Sequence, residues 1–122
     1  MADIGGIDLE RDASKGVWHP LTLPDGTVSD AEILLMGMDA PEVADAIARL
    51  QQSEGSNMTM PVYTLAVVIA AAKDCRNLEN NGEAVVANEL PGIITKHKSW
   101  MLEQCFRVVA DRTNYLGNSS GS

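Results

Sequence analysis

Aromatic residues, basic residues and long apolar runs are all scarce in this sequence. Aromatic side chains make up 4% of the 122 residues, so aliphatic side chains and methionine must fill most of the core. No stretch reaches the ~18 consecutive apolar residues that indicate a transmembrane helix. No basic segment precedes an apolar one near the start, so we expect no secretion signal. The remaining composition, 45% hydrophobic and 21% charged, is typical of one globular domain.

Basic residues are outnumbered by acidic ones, nine against seventeen, which gives a net charge of −8. Because an acidic surface repels phosphate groups, we expect neither nucleic acid nor a membrane surface among the partners. The charge is also uneven, since eleven acids and three bases lie within residues 1–57 and account for all of it. Two interpretations stay open: a docking face for a basic partner, and a surface that keeps the protein dissolved.

Residues that commonly carry catalysis or bind metals are few. The two cysteines, Cys75 and Cys105, lack the spacing of a redox or zinc motif, and the two histidines, His19 and His97, are far apart. Nucleotide-binding and hydrolase motifs are absent. Both cysteines fall on apolar helical faces, which favours core packing, although an enzyme that uses either thiol with a histidine stays an alternative. We expect a reduced, cytoplasmic, non-enzymatic protein without cofactor or metal.

The N-terminal half predicts a β-hairpin followed by a helix. The sequence Pro-Asp-Gly at 24–26 is a turn signal between two strand-like segments, Val17–Leu23 and Thr27–Met36. Further on, Asp39 is placed to cap a helix that carries Pro41 in its first turn.

The C-terminal half predicts two longer helices, Val62–Cys75, which is apolar on nearly every side, and Lys98–Arg112, which has one broad apolar face. The conformation of residues 88–97 stays open. Together the elements predict a mainly α fold of the α+β class, a bundle of about four helices with a small N-terminal β-hairpin. The predicted divisions are a flexible N-terminal arm at 1–15, a single globular domain at 16–116 and a disordered tail at 117–122.

The two tryptophans are the candidate contact residues. Trp18 lies in the predicted hairpin, where it can cover the open face of the sheet. Trp100 falls outside the apolar arc of the last helix, beside Glu103, Gln104 and Arg107. A tryptophan off the core face is typical of a binding anchor, because tryptophan is enriched at interface hot spots. The alternative is that the preceding segment folds over it, and both interpretations stay open.

Most of the chain, from Gly16 to Tyr115, resembles the tail assembly chaperones of long-tailed bacteriophages. The resemblance rests on the sequence WMLEQ at 100–104, followed by DRTNY at 111–115. Upstream, NNGE at 80–83 is similar to the family's Gly-Glu turn, and Asn88-Glu89 to its Glu-Asn segment, with the order reversed here. The predicted hairpin, with Trp18 near its start, is similar to the opening of the family.

This resemblance implies a non-enzymatic role in building the phage tail. Members of the family bind the long tape-measure protein, keep it soluble, recruit tail tube subunits to it and are absent from the finished virion. The expected partners are therefore the tape-measure and tail tube proteins in the bacterial host cytoplasm, and self-association stays open. A structural head–tail connector or minor tail protein is the alternative. The residues assigned to partner binding or to the family motif are Trp18, Trp100, Gln104, Arg107, Asp111, Arg112, Asn114 and Tyr115.

The DRTNY segment also has a structural interpretation. Arg112 can meet the last carbonyls of the helix, and Asn114 can adopt a left-handed cap. Tyr115 can then fold back beneath Phe106 or Trp100. We favour this role, a stop and docking device for the last helix, over a binding role for the segment.

Overall fold

The computed structural model describes residues 5, 7–96 and 98–118. Within them the chain forms five α-helices and five strands, joined by short turns and single 3-10 turns. In chain order the elements are α1 (Leu9–Lys15), β1 (Val17–Thr22), β2 (Val28–Leu35), α2 (Pro41–Glu54), α3 (Met60–Ala71), β3 (Ala72–Arg76), β4 (Glu79–Asn80), β5 (Glu83–Ala84), α4 (Leu90–Lys96) and α5 (Lys98–Ala110).

The predicted hairpin forms as the turn signal indicates. β1 and β2 pair antiparallel, with Val17 opposite Leu35 and His19 opposite Ile33. The carboxylate of Asp25 accepts the backbone N–H of Thr27 at 2.9 Å, so the turn holds its own backbone.

The prediction of a helical bundle with only a hairpin is wrong. The chain has a three-stranded antiparallel sheet in the order β1-β2-β3, together with the small β4-β5 hairpin. The predicted helix Val62–Cys75 ends at Ala71, and β3 continues directly from it to pair with β2, with Ile33 opposite Cys75. No glycine or proline marks this change in the sequence. The pairing partner supplied by β2 decides it, which is a tertiary effect that helix propensity does not register.

α2 begins at Pro41 as predicted, but its cap differs from the prediction. Ala40 occupies the cap position and provides no side-chain hydrogen bond. Asp39 is engaged elsewhere, because its carboxylate pairs with Arg112 at the far end of the chain. A side-chain cap forms instead at the next helix, α3, where the hydroxyl of Thr59 accepts the N–H of Val62 at 3.4 Å.

The core lies between the inner face of the three-stranded sheet and the helices. Alternate residues of β2 point inward, so Ala31, Ile33 and Leu35 are buried while the residues between them are partly exposed. The helices contribute Val67, Val68, Ala71, Leu90, Ile94, Met101, Cys105 and Val109. α5 supplies every fourth residue to this cluster, namely Met101, Cys105 and Val109, and its opposite side is exposed at Glu103, Arg107 and Ala110.

Both ends of the predicted globular domain have further ordered chain attached. Within segment 1–15, expected to be flexible, residues 9–15 form α1, and its Ala13 is 2% exposed. In segment 117–122, the side-chain amide of Asn118 donates to the carbonyls of Asp12 and Gly16. Residues 1–4, 6 and 119–122 of these two segments lie outside the described part of the chain.

Candidate partner-binding site

Two adjacent hollows open beside α5, and Leu23 and Trp100 line both of them. The two hollows together, with Leu23 and Trp100 common to both, are called the Trp100 cleft. One hollow, about 340 Å³, is the apolar hollow, and its apolar walls are Leu21, Ala31, Leu78, Val85, Ile93 and Met101. The other, about 420 Å³, is the polar hollow, lined by His19, Thr22, Glu103, Gln104, Arg107 and Val108.

Trp100 stands at the boundary between the core and the cleft. It lies on α5 one position before the buried Met101, so its indole is turned partly away from the inward face. The side chain packs against the core cluster and at the same time forms a wall of both hollows. Leu23, at the start of the β1–β2 turn, lines both hollows together with Trp100. A tryptophan held in this way presents a large, fixed apolar surface to a partner.

Gln104 joins α5 to the edge of the sheet. Its amide oxygen accepts the backbone N–H of Thr22 at 2.9 Å, and its amide nitrogen donates to the carbonyl of Thr22 at 2.9 Å. The same nitrogen donates to the carbonyl of Trp100, one helical turn earlier, and Nε2 of His19 lies 2.9 Å from the amide oxygen. The amide thus makes the backbone hydrogen bonds that a neighbouring strand would make with the edge strand β1, and it holds one wall of the polar hollow in place.

Arg107 lies on the rim of the polar hollow, as does Glu103 one turn earlier on α5. Both side chains are exposed. The structure therefore brings three of the sequence-predicted residues, Trp100, Gln104 and Arg107, to one site.

The other predicted residues lie elsewhere. Asp111 accepts the N–H of Thr113 at 3.0 Å and so begins a 3-10 turn. Arg112 donates to both carboxylate oxygens of Asp39, at 2.6 and 3.0 Å, and does not meet the helix carbonyls as expected. Asn114 does not adopt the expected left-handed cap; it lies in the 3-10 turn, and its side chain donates to the carbonyl of Val108 at 3.0 Å.

Tyr115 is buried, 3% exposed, but not beneath Phe106 or Trp100 as expected. Its hydroxyl donates to the carbonyl of Met36 at 3.2 Å. Its ring lies over Gly37, where a Cβ atom would come within about 3.0 Å of the ring and of Ala13. Phe106 instead meets Tyr63 edge-on, with ring centres 6.1 Å apart. The contact with Gly37 depends on a residue 78 positions earlier in the chain, so local sequence does not reveal it.

Trp18 lines neither hollow. Opposite Leu34 in the sheet register, it lies on the outer face, where the guanidinium carbon of Arg76 is 4.0 Å from the ring centre. That contact is a cation–π interaction, and Arg76 also pairs with Glu32 at 2.7 Å. Trp18 therefore covers the open face of the sheet, as predicted, together with an arginine that the sequence did not point to.

One component of the site was missed from the sequence. Leu23, 38% exposed, directly precedes the Pro-Asp-Gly turn and forms half of the shared wall of the cleft. An apolar side chain at the tip of a hairpin is the signal that points to it, because such a position has no core to face.

Both thiols are held in their neutral form. Burial, assisted by the carboxylates of Asp74 and Glu89, raises the pKa of Cys75, whose thiol donates to the carbonyl of Val85. Burial raises the pKa of Cys105 to about 12. A raised thiol pKa opposes nucleophilic chemistry, which needs the thiolate.

His97 lies outside the described residues. Across residues 5, 7–96 and 98–118, no three His, Cys, Asp or Glu side chains come together as metal ligands would. No helix in that part of the chain has the length and apolar character needed to cross a membrane.

Comparison with known proteins gives no relative. No family model matches the chain, and neither a curated protein nor a solved structure matches it.

Proposed function

We propose that this chain is a tail assembly chaperone of a long-tailed bacteriophage. It binds an apolar helical segment of the tape-measure protein in the Trp100 cleft, and it helps to recruit tail tube subunits to that protein. It acts in the cytoplasm of the bacterial host, transforms no substrate and is not retained in the virion.

The observation that carries the proposal is the shared wall of the cleft. Trp100 and Leu23 line both of two adjacent hollows, of about 340 and 420 Å³, so apolar side chains of a partner can enter either hollow against the same two residues. This size is within the range of specific binding pockets, about 300–1,000 Å³. Tryptophan in a pocket of this kind commonly dominates the binding energy of an interface.

The net charge supports the same role. A tape-measure protein is a long helical chain whose apolar stripes aggregate until the tail tube surrounds them. A bound chaperone with a net charge of −8 adds charge repulsion between complexes and so keeps them dissolved. The apolar cleft would thus bind the tape-measure protein directly, while the negative charge would keep the resulting complexes apart.

Co-expression with the tape-measure protein of the same phage tests the proposal. The measurement is the fraction of tape-measure protein in the soluble phase, with the wild-type chain, without it, and with Trp100→Ala. We expect the wild-type chain to raise this fraction and Trp100→Ala to remove most of the gain. Trp18→Ala is the matched control, because it deletes the same side chain from the outer sheet face.

A tape-measure protein that is equally insoluble with and without the chain would contradict the proposal. Urea unfolding of both variants shows whether a loss of soluble tape-measure protein comes from weaker binding or from unfolding of the chaperone. Mass spectrometry of purified virions gives an independent check, since a chaperone should be missing and a connector or minor tail protein should be present.

A further inference from the structure

Carboxylates line the apolar hollow at its rim, and no lysine or arginine does so among the side chains that the structure describes. Asp30 comes from β2 and Glu79 from β4, so two separate elements bring negative charge to one opening. Both residues are exposed. The polar groups around them are neutral, namely Ser29, Asn77, Asn80 and Asn81.

The nearby cation is committed elsewhere. Arg76 lies between the two elements in sequence, but its guanidinium pairs with Glu32 and stacks on Trp18 at the outer face of the sheet. In the described part of the chain, the ion pairs are Asp8–Arg11, Glu32–Arg76 and Asp39–Arg112. Asp30 and Glu79 belong to none of them, so the charge at this rim has no neutralising partner from those residues.

The floor beneath this rim is apolar. Leu21 and Met101 are each 1% exposed and close the bottom of the hollow, with Ile93 and Val85 at its sides. A partner must therefore place an apolar side chain in the hollow and a group compatible with two carboxylates above it. A negative partner would meet repulsion there, and a purely apolar one would leave the carboxylates without compensation.

The polar hollow has no such preference. Its charged lining residues are Glu103 and Arg107, which have opposite signs and lie one turn apart on α5. The charge selectivity of the cleft is thus confined to the end beyond Trp100 that contains Asp30 and Glu79. An asymmetry of this kind gives a bound segment a direction as well as a position.

We propose that the segment bound in the Trp100 cleft is an amphipathic helix with a lysine or arginine three or four residues from its apolar anchor. At that spacing two side chains are about 5–6 Å apart on the same helical face, so the anchor can fill the apolar hollow while the cation reaches the rim. The long aliphatic stem of lysine or arginine packs along the apolar wall, and its charged head meets Asp30 and Glu79. This inference rests on the proposed function for the identity of the partner, but its chemistry follows from the cleft.

Two synthetic helical peptides of equal length test the inference directly. Both carry the same leucine stripe, and the positions that flank it are lysine in one and glutamate in the other. Binding of each labelled peptide to the full chain is measured by fluorescence anisotropy at low and at high salt. We expect the lysine peptide to bind about tenfold more tightly at low salt, and the difference to shrink at high salt.

The preference must come from the rim and not from the overall negative charge. The double variant Asp30→Asn with Glu79→Gln should bring the ratio of the two affinities close to one. The matched control is Glu42→Gln with Asp45→Asn, which removes the same number of charges from exposed positions on α2. The control variant should retain most of the difference in affinity between the two peptides, and Trp100→Ala should weaken the binding of both.

The outcomes separate this inference from the proposed function. Equal affinities for the two peptides, both weakened by Trp100→Ala, would overturn the charge requirement and leave the chaperone role intact. A ratio that falls equally in both double variants would also overturn it, because the attraction would then be general. Binding of neither peptide would overturn it too, and the co-expression experiment would still decide the chaperone role. If Trp100→Ala converts a dimer of the free chain to a monomer, the occupant is a second copy and the inference fails.

Discussion

Trp100, which lines the cleft, and the C-terminal segment Asp111–Tyr115 both belong to the family-like motif, but the structure uses them in opposite ways. In the C-terminal segment, Asp111 bonds within the segment, Arg112 and Asn114 bind other parts of this chain, and Tyr115 is 3% exposed. In the cleft, Trp100 and Leu23 are left with accessible apolar surface between two hollows. The Asp111–Tyr115 segment therefore stabilises the fold, whereas Trp100 keeps part of its surface exposed in the cleft.

Gln104 lies between these two regions and shares features of both. It lines the polar hollow, yet its amide is saturated by Thr22, Trp100 and His19. Its contribution to a partner is thus the position of the wall and not a hydrogen bond of its own. The comparison predicts that substitutions affect mainly stability at Tyr115, mainly binding at Trp100, and both at Gln104.

The largest effect on stability is expected at Tyr115. Tyr115→Ala removes a buried ring that packs on Gly37 and Ala13, and should lower the free energy of unfolding by about 3–5 kcal/mol. Tyr115→Phe keeps the ring and loses the hydrogen bond to the carbonyl of Met36, at a cost of about 1 kcal/mol. Urea unfolding measures both. An alanine variant within about 1 kcal/mol of the wild type would show that the segment is not docked, which would break the comparison.

A smaller loss is expected at Gln104. Gln104→Leu leaves the N–H and the carbonyl of Thr22 without their partner at a part-buried edge, which should cost about 2 kcal/mol. Amide hydrogen exchange at Thr22 should speed up in the same variant. Gln104→Glu keeps the accepting oxygen and loses the donor, so it should be intermediate. If Gln104→Leu weakens peptide binding with no change in stability, Gln104 contacts the partner and belongs entirely to the cleft.

Alkaline pH tests the buried face of α5 that supports both regions. The pKa of Cys105 is about 12 in the folded protein against 9.0 for an ordinary thiol. Between these values the unfolded chain releases a proton that the folded chain retains, so stability is full below pH 9 and falls as the pH rises toward 12. The loss from this thiol is at most about 1.4 kcal/mol for each pH unit.

Cys105→Ala is the control for that pH dependence. Urea midpoints measured from pH 8 upward should fall less steeply in the variant than in the wild type. Burial also raises the pKa of Tyr115 and of Cys75, so part of the slope should remain, and Tyr115→Phe should remove the share that comes from the tyrosine. Equal slopes in the wild type and Cys105→Ala would mean that the thiol is not sequestered beneath the cleft.

Local patterns in the sequence predicted the hairpin, the start of α2 and the helical span of α5. These elements depend on turn chemistry, proline placement and a repeating apolar face, which are all short-range signals. The third strand was missed because Ala72–Arg76 is a strand only through its pairing with β2, and helix and strand propensities do not separate the two at that point. The error in fold class follows from this segment and from the β4–β5 hairpin, which was not predicted either.

The site was predictable to a similar depth. The helical wheel placed Trp100, Gln104 and Arg107 off the core face, and the structure gathers those three. The wheel could not place Leu23 and Asp30 in the same hollow as Trp100, because both positions are set by the folding of the hairpin onto α5. The same limit applied to Arg112, whose partner Asp39 lies 73 residues earlier and was expected to cap α2.

The smallest effect is expected at this Arg112–Asp39 pair. The pair is bidentate, but the Arg112 side chain is 62% exposed, so solvent screens the attraction and Arg112→Ala should lower the free energy of unfolding only slightly. A double-mutant cycle with Asp39→Ala should give a similarly small coupling energy, and this energy should decrease as salt is added.

The informative measurement is partner binding by Arg112→Ala, which should match the wild type, because the arginine is engaged within the chain. A binding loss without a stability loss would move Arg112 from the structural half of the motif to the functional half. The interacting surface would then have to extend from the cleft past the end of α5.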